Sequence, residues 1–294
     1  MTQYAVRQSI RYDFNRPTGA GRQLFRILPA DIPGLQRVRE SGYAFHPDVG
    51  ERGEFHDFFG TRVIEAAMPP GLVSLNLTMH AVVERTAEDS LLDLSPPLPV
   101  LALELAAHRD VGPRAPHHFI FPSRRISAAP PIAAFARAQV VEGMTVQVLL
   151  ETLGRALHDH MRFDSKATRV DTAPEDAFAQ ARGVCQDFAQ IMVGALRALG
   201  VPAAYVAGYL RTLPPPGKPR LVGADAMHAW VRAWTGEEMG WIDFDPTNAC
   251  FVRNDHIDVG FGRDYDDVAP VTGRLRLDGR QSGSHSVDIE EISP

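Results

Sequence analysis

Residues 181–202 read ARGVCQDFAQIMVGALRALGVP, and the fold follows from this stretch. Phe188, Ile191, Met192, Ala195, Leu196 and Leu199 recur at steps of three and four, which predicts a helix with one buried face. Gly200 and Pro202 end it, the glycine by allowing a left-handed turn and the proline by lacking an amide. Cys185 stands in the first turn, just after Gly183. Unpaired amides and the helix dipole favour an anion there, so a thiol is drawn toward its nucleophilic thiolate. The glycine is expected to let a substrate carbonyl come close to the sulfur.

A thiolate nucleophile needs a proton-carrying partner, and a histidine in that role needs a third group to fix its tautomer. Downstream the apolar period changes from helix to strand over residues 203–210, 226–234 and 241–245. On the second of these His228 alternates with Trp230, Arg232 and Trp234; on the third Trp241, Asp243 and Asp245 share a side. Pairing Trp234 with Met239 sets His228 opposite Asp245, and a slip of two residues sets it opposite Asp243 instead. Alternation does not separate the two. Between the first two strands, residues 213–223 carry Pro214, Pro215, Pro216 and Pro219, expected either as a stiff rim over the cleft or as an inert surface excursion.

Upstream, helical periods cover residues 132–141, 146–163 and 174–181, the second carrying Leu149, Leu150, Leu153 and Leu157 on one face. Residues 95–131 are broken by prolines and read as a crossover between domains. Before them, short alternating runs at 5–14, 23–28, 37–45, 62–67, 72–84 and 100–105 predict a β-sandwich-like domain. The tail from residue 275 reads as one or two edge strands and a flexible end. The expected fold class is therefore α+β. A β-sandwich-like domain at residues 1–110 precedes an α+β domain at residues 111–294, whose helices pack on an antiparallel sheet.

The chain has 294 residues, 45% hydrophobic and 22% charged, enough apolar material for a large core and about two domains by length. Thirty basic against thirty-six acidic residues give a net charge of −6. There is no positive field to hold a phosphate backbone, so nucleic acid is not an expected partner. The opening MTQYAVRQSIRYDF lacks a basic region followed by an apolar one, and no run of about 18 uncharged apolar residues occurs. The expectation is a cytoplasmic protein without a membrane partner. Two cysteines, Cys185 and Cys250, make no disulfide framework. The pairs His117–His118 and His158/His160 lack metal-ligand spacing, so neither metal nor cofactor is expected.

The ordered motifs GVCQDFAQ (183–190), RALGVPAAYVAGYL (197–210), DAMHAWV (225–231) and GWIDFDPTN (240–248) resemble the transglutaminase-like superfamily of cysteine enzymes, and more narrowly its bacterial branch, described as cysteine proteases. FPSRR (121–125) and GRDYDDVAP (262–270) extend the likeness. RYDFNRP (11–17), LFRILP (24–29), FHDFFGTRV (55–63) and LNLTMHAVVE (75–84) resemble that branch's β-rich amino-terminal region. The resemblance implies that residues 111–294 form a papain-like, transglutaminase-like catalytic domain in which Cys185 is the nucleophile, His228 the general base and acid, and Asp245 the group that orients His228. Gln190 stands where relatives often carry His, and the stretch ending in Arg11 replaces another His; neither touches the triad.

The implied chemistry is attack on an amide through a thioester, resolved by water in a protease, peptidase or amidase, or by an amine acceptor in a transglutaminase. A non-catalytic binding or assembly module would be expected to lose a triad residue, and all three are present. The expected partners are a peptide or protein amide substrate and, for transfer, an amine. The Cys185 amide is an expected oxyanion donor, and Gln180 a candidate for the second. Trp230 is read as sheet packing with a substrate-wall role as the alternative, and Arg263 and Tyr265 as braces of the active-site loops or substrate contacts. Asp187 is expected to stabilise the helix start, and Cys250 to be an incidental thiol rather than a redox partner of Cys185.

Overall fold

Strands form where the sequence alternates. The computed structural model describes residues 1–86, 92–212 and 225–292. β1 (Thr2–Phe14) buries Tyr4, Val6, Gln8, Ile10 and Phe14 and leaves Arg7 and Arg11 exposed, the period-two pattern of a half-buried strand. β2 (Gly21–Phe25), β3 (Gln36–His46), β4 (Arg52–His56), β5 (Arg62–Met68) and β6 (Ser74–Arg85) follow.

Helices come next. α1 (Leu98–Ala107), α2 (Pro130–Arg137) and α3 (Val146–His160) lead through a parallel pair, β7 (Arg162–Phe163) and β8 (Arg182–Gly183), with α4 (Pro174–Gln180) between them. α5 (Cys185–Ala198) is the helix of the opening motif. The chain then forms β9 (Ala203–Leu210), β10 (Ala226–Trp234), β11 (Trp241–Asp245), β12 (Cys250–Phe251) and β13 (His256–Gly262). The short α6 (Tyr265–Val268) precedes β14 (Val271–Leu275) and β15 (Gln281–Ile292).

Two four-stranded antiparallel sheets, ordered β15-β1-β6-β3 and β14-β2-β5-β4, enclose one apolar core and make the sandwich. The third sheet, β12-β11-β10-β9-β13, carries α2, α3, α4 and α5 on one face around Leu149, Leu153, Phe188, Ile191, Met192 and Leu196. This is the mixed architecture of helices packed on antiparallel sheets that the sequence reading expects.

Several details differ from the sequence reading. Residues 100–105 lie in helix α1, not a strand: Pro at the first turn and a run of Leu, Ala and Glu favour helix, and so short an apolar run carries no period. The crossover at 95–131 therefore contains a ten-residue helix. β4 and β13 are absent from the sequence reading: β4 is exposed at all five positions and has no apolar face, while β13 alternates only over the short run HIDVGFG, interrupted by two glycines. The tail does form edge strands as expected: β15 pairs with β1 from Gln3–Ile292 to Phe14–Gln281, and β14 pairs with β2. Residues 271–292 thus complete the sandwich begun by residues 2–85, crossing the division expected at residue 110. The proline-rich stretch 213–223 lies outside the described residues. Among the described residues no helix is long and apolar enough to cross a membrane.

The sandwich meets the third sheet through Tyr209, Ile257 and Val259, which join its apolar core, and through a buried charge network. Asp258 of β13 binds Arg85 of β6 at 2.9 Å and Arg232 of β10 at 2.8 Å, and Arg232 grips Asp243 of β11 with two bonds of 2.7 Å. Gln36 of β3 completes it, accepting from the Asp258 amide and donating to the Asp258 carbonyl. Arg85 and Asp258 side chains are 0% and 2% exposed. Removing one partner leaves an uncompensated charge out of water, so Arg85→Met is expected to cost about 3–5 kcal/mol. Denaturant unfolding checks this; a loss below about 1 kcal/mol would mean that the network does not tie the layers together.

Candidate active site

The start of α5 is built around Asp187. Its Oδ2 accepts from the Val184 amide at 2.8 Å and from the Thr168 hydroxyl at 2.6 Å, capping the helix as expected, and burial raises its carboxyl pKa. Gly183 has a different purpose from the expected one. A Cβ there would stand 2.5 Å from Asp187 Oδ2, so the missing side chain makes room for the cap rather than for a substrate. Cys185, the first residue of α5, is left partly exposed on the floor of a cleft of about 480 Å³.

His228, on β10, lines the same cleft, and its Nε2 lies 2.7 Å from Oδ2 of Asp245, at the end of β11. The strands pair Trp234 with Trp241 and Arg232 with Asp243. That register is displaced by two residues from the one set by Trp234 and Met239, in the direction opposite to the alternative slip. Asp245 therefore reaches His228 along a diagonal beyond the last paired residues, Val231 and Phe244. Asp243 is committed elsewhere, to Arg232 and to the Trp230 indole N–H at 3.0 Å.

Asp245 is fully buried and surrounded by donors. Oδ1 accepts from the amides of Thr247 (2.9 Å) and Asn248 (3.2 Å); Oδ2 accepts from His228, from the Asn248 side chain (2.6 Å) and from His256 Nε2 (3.1 Å). Burial opposes its charge, but the hydrogen bonds of His228 and His256 outweigh this and hold the carboxyl well below the usual carboxylate range. For His228, burial opposes the charged form, and the hydrogen bonds with Asp245 and Cys185 overcome it, pushing the imidazole up to about 10. With Nε2 on Asp245, Nδ1 is the ring nitrogen left for the sulfur.

His256 was not singled out from the sequence, because it lies on the unread strand β13. It is buried, and its Nδ1 accepts from the Arg253 amide at 3.5 Å, which assigns the ring proton to Nε2 and directs it at Asp245. The ligand atoms of His228, Asp245 and His256 lie within 4.8 Å of one another, a spacing that suits a metal ion. As arranged, both Nε2 positions meet Asp245 Oδ2 at hydrogen-bond distance, so N–H groups fill that space.

The other candidates divide. Tyr265 lines the cleft, edge-on to Tyr205 at 6.2 Å. Trp230 does not: it is wholly buried, packed beside His256 and against Gly208, where a Cβ would sit 2.3 Å from the indole. Gln180 is exposed at the end of α4 and Arg263 pairs with Asp267 at 2.9 Å, both away from the cleft lining. Gln190 is buried in α5 with neither amide atom hydrogen-bonded. Cys250 sits opposite Asp245 in the β11–β12 pair; burial and that nearby charge push its thiol up to about 11. Both cysteines are free.

Comparison with known proteins gives a consistent picture. Residues 134–246 match the family described as the transglutaminase-like superfamily, and residues 4–84 match the bacterial transglutaminase-like N-terminal region. An "uncharacterized protein" of Mycobacterium tuberculosis (strain ATCC 25618 / H37Rv) is 41% identical over 46% of this chain and 44% of its own length. The chain thus spans under half the length of that relative. A protein-glutamine gamma-glutamyltransferase of Pseudomonas aeruginosa is 39% identical over 32% of this chain and 14% of its own length. Among solved structures, "a Putative Cysteine Protease from Cytophaga hutchinsonii" superposes with a TM-score of 0.74 at 20% identity, covering 100% of this chain and 91% of that one.

The pairing of His228 with Asp245 carries a pH signature. The folded imidazole value of about 10 lies above the free value of about 6.5, so its contribution to stability is complete below about pH 6.5 and is lost as pH rises through about 10. Denaturant unfolding at a series of pH values is expected to show the stability difference between wild type and His228→Gln shrinking across that window. A difference that stays flat would contradict the raised imidazole.

Proposed function

This chain carries the core of the transglutaminase-like superfamily behind a bacterial transglutaminase-like N-terminal region, and from that premise we propose that it is a cysteine hydrolase cleaving an amide bond in a peptide or peptide-like substrate. The observation that carries the reading is Cys185 at the head of α5 facing a histidine whose far nitrogen is 2.7 Å from a buried aspartate. In this reading the Cys185 thiolate attacks the carbonyl carbon, a C–S bond forms, and the electron pair moves to oxygen, where the Cys185 amide donates to it. As the C–N bond breaks, the Nδ1 proton of His228 passes to the departing amine. Water then adds to the thioester, Nδ1 takes a proton from it, and the carboxylic acid leaves as the thiolate and imidazolium are restored.

Acyl transfer is the second reading, with an amine in the place of water. The likeness to a protein named as a protein-glutamine gamma-glutamyltransferase supports it. Hydrolysis is preferred because no carboxylate lines the cleft, among the described residues, to draw in a protonated amine.

Alkylation with iodoacetamide at pH 6, followed by mapping of the modified residue, tests the thiol. Cys185 is expected to react at least about ten-fold faster than Cys250, whose thiol is raised by burial, and His228→Ala is expected to remove most of that advantage. Equal rates for the two cysteines, or a Cys185 rate indifferent to His228, would refute the nucleophile assignment.

A further inference from the structure

The cleft has one wall that the papain-like half of the chain does not supply. Opposite Cys185 and His228 stand Gln8 and Tyr12 of β1 and Gly283, Ser284 and His285 of β15. β15 is the edge of its sheet, and residues 281–286 are exposed along it. The direction of its free backbone groups follows from its far end. There the Ile289 amide points away from β1 and donates to the Asp225 carboxylate at 2.7 Å, and Asp225 forms an antiparallel bridge to Val287 on that outer side. The β1–β15 register runs without a bulge, so the period of two turns the amides of His285 and Gly283 outward as well.

The chain's own residue 225 thus already pairs antiparallel with this edge at Val287, and the edge continues from there, unpaired among the described strands, into the cleft that holds Cys185. Among the described residues no Asp, Glu, Lys or Arg side chain lines the cleft; its polar groups are tyrosines, glutamines, Ser284, Cys185 and the histidines.

We propose that an extended peptide segment binds by adding an antiparallel strand to the outer edge of β15 at residues 281–286, presenting an uncharged amide to Cys185. Main-chain bonds to the His285 and Gly283 backbones hold the segment, and the uncharged walls select neutral side chains beside the reacting carbonyl. Six residues of strand span about 20 Å, so the contact is a short run of main chain rather than a protein-sized surface. The inference rests on Cys185 being the nucleophile proposed above.

The test uses the whole chain and two alkylating reagents. Iodoacetamide reads the thiol alone; acetyl-trialanyl chloromethyl ketone reads the thiol plus peptide recognition. The peptide reagent is expected to label Cys185 with saturable kinetics. Methylating one of its backbone nitrogens is expected to slow it at least ten-fold, and replacing the alanine nearest the electrophile by Glu or Lys is expected to do the same. In the protein, His285→Pro removes the outward amide, which an edge strand tolerates because that N–H makes no ladder bond. His285→Ala removes only the imidazole. The proline variant is expected to react at least ten-fold more slowly than the alanine variant with the peptide reagent, and equally fast with iodoacetamide. Peptide rates within two-fold across the N-methyl series overturn the edge assignment whether or not the proline variant folds, and so does labelling by iodoacetamide without labelling by the peptide. If iodoacetamide itself fails to find Cys185, the nucleophile assignment falls first and this inference falls with it.

Discussion

Asp258 is the charge on which the arrangement depends. It sits where two sheets meet, between an arginine from the sandwich and an arginine from the layer behind the cleft, with its own backbone bound through Gln36. Two like charges flanking one carboxylate in a dry interior would be unfavourable without the second acid, Asp243, which balances Arg232. The four side chains come from four strands, β6, β10, β11 and β13, so satisfying them sets how the strands lie relative to one another. Arg232 and Asp243 are also the register partners of the β10–β11 pair that delivers His228 and Asp245. The same bonds that join the layers thus set the position of the candidate site.

Asp245 shows a second use of burial. An isolated carboxylate in this position would neutralise itself; five donors favour its charged form, and its hydrogen bond to His228 raises the imidazole above its free value. His256 shares the task from β13. Because it donates to the same oxygen as His228, it helps to fix the carboxylate that His228 is held against.

Much of this was legible in the sequence, because helix α5 and strands β9, β10 and β11 have clear periods and the cysteine sits beside a helix-stopping and a helix-starting signal. The pair of His228 with Asp245 was reached through motif likeness, not through pairing. Register depends on the turn at Gly236 and Gly240 and on the Arg232–Asp243 bond, and neither is encoded in alternation. β13 is buried on both faces although its sequence, HIDVGFG, alternates as a half-exposed strand would, so His256 and Asp258 read as solvent-facing and carry no local signal of their burial. Helix α1 was lost for the converse reason: prolines in its first turn look like a break to a reader and like a start to a helix.

Strand β15 pairs with β1 so that residue 3 meets residue 292, close to the widest separation the chain allows. During synthesis, Cys185, His228 and Asp245 all leave the ribosome before residues 281–292 do. A nascent chain can therefore assemble the thiol, imidazole and carboxylate while one side of the cleft is still unmade. Pairing strands this far apart in sequence is slow, so Cys185 gains its full surroundings only after β1 and β15 have found each other.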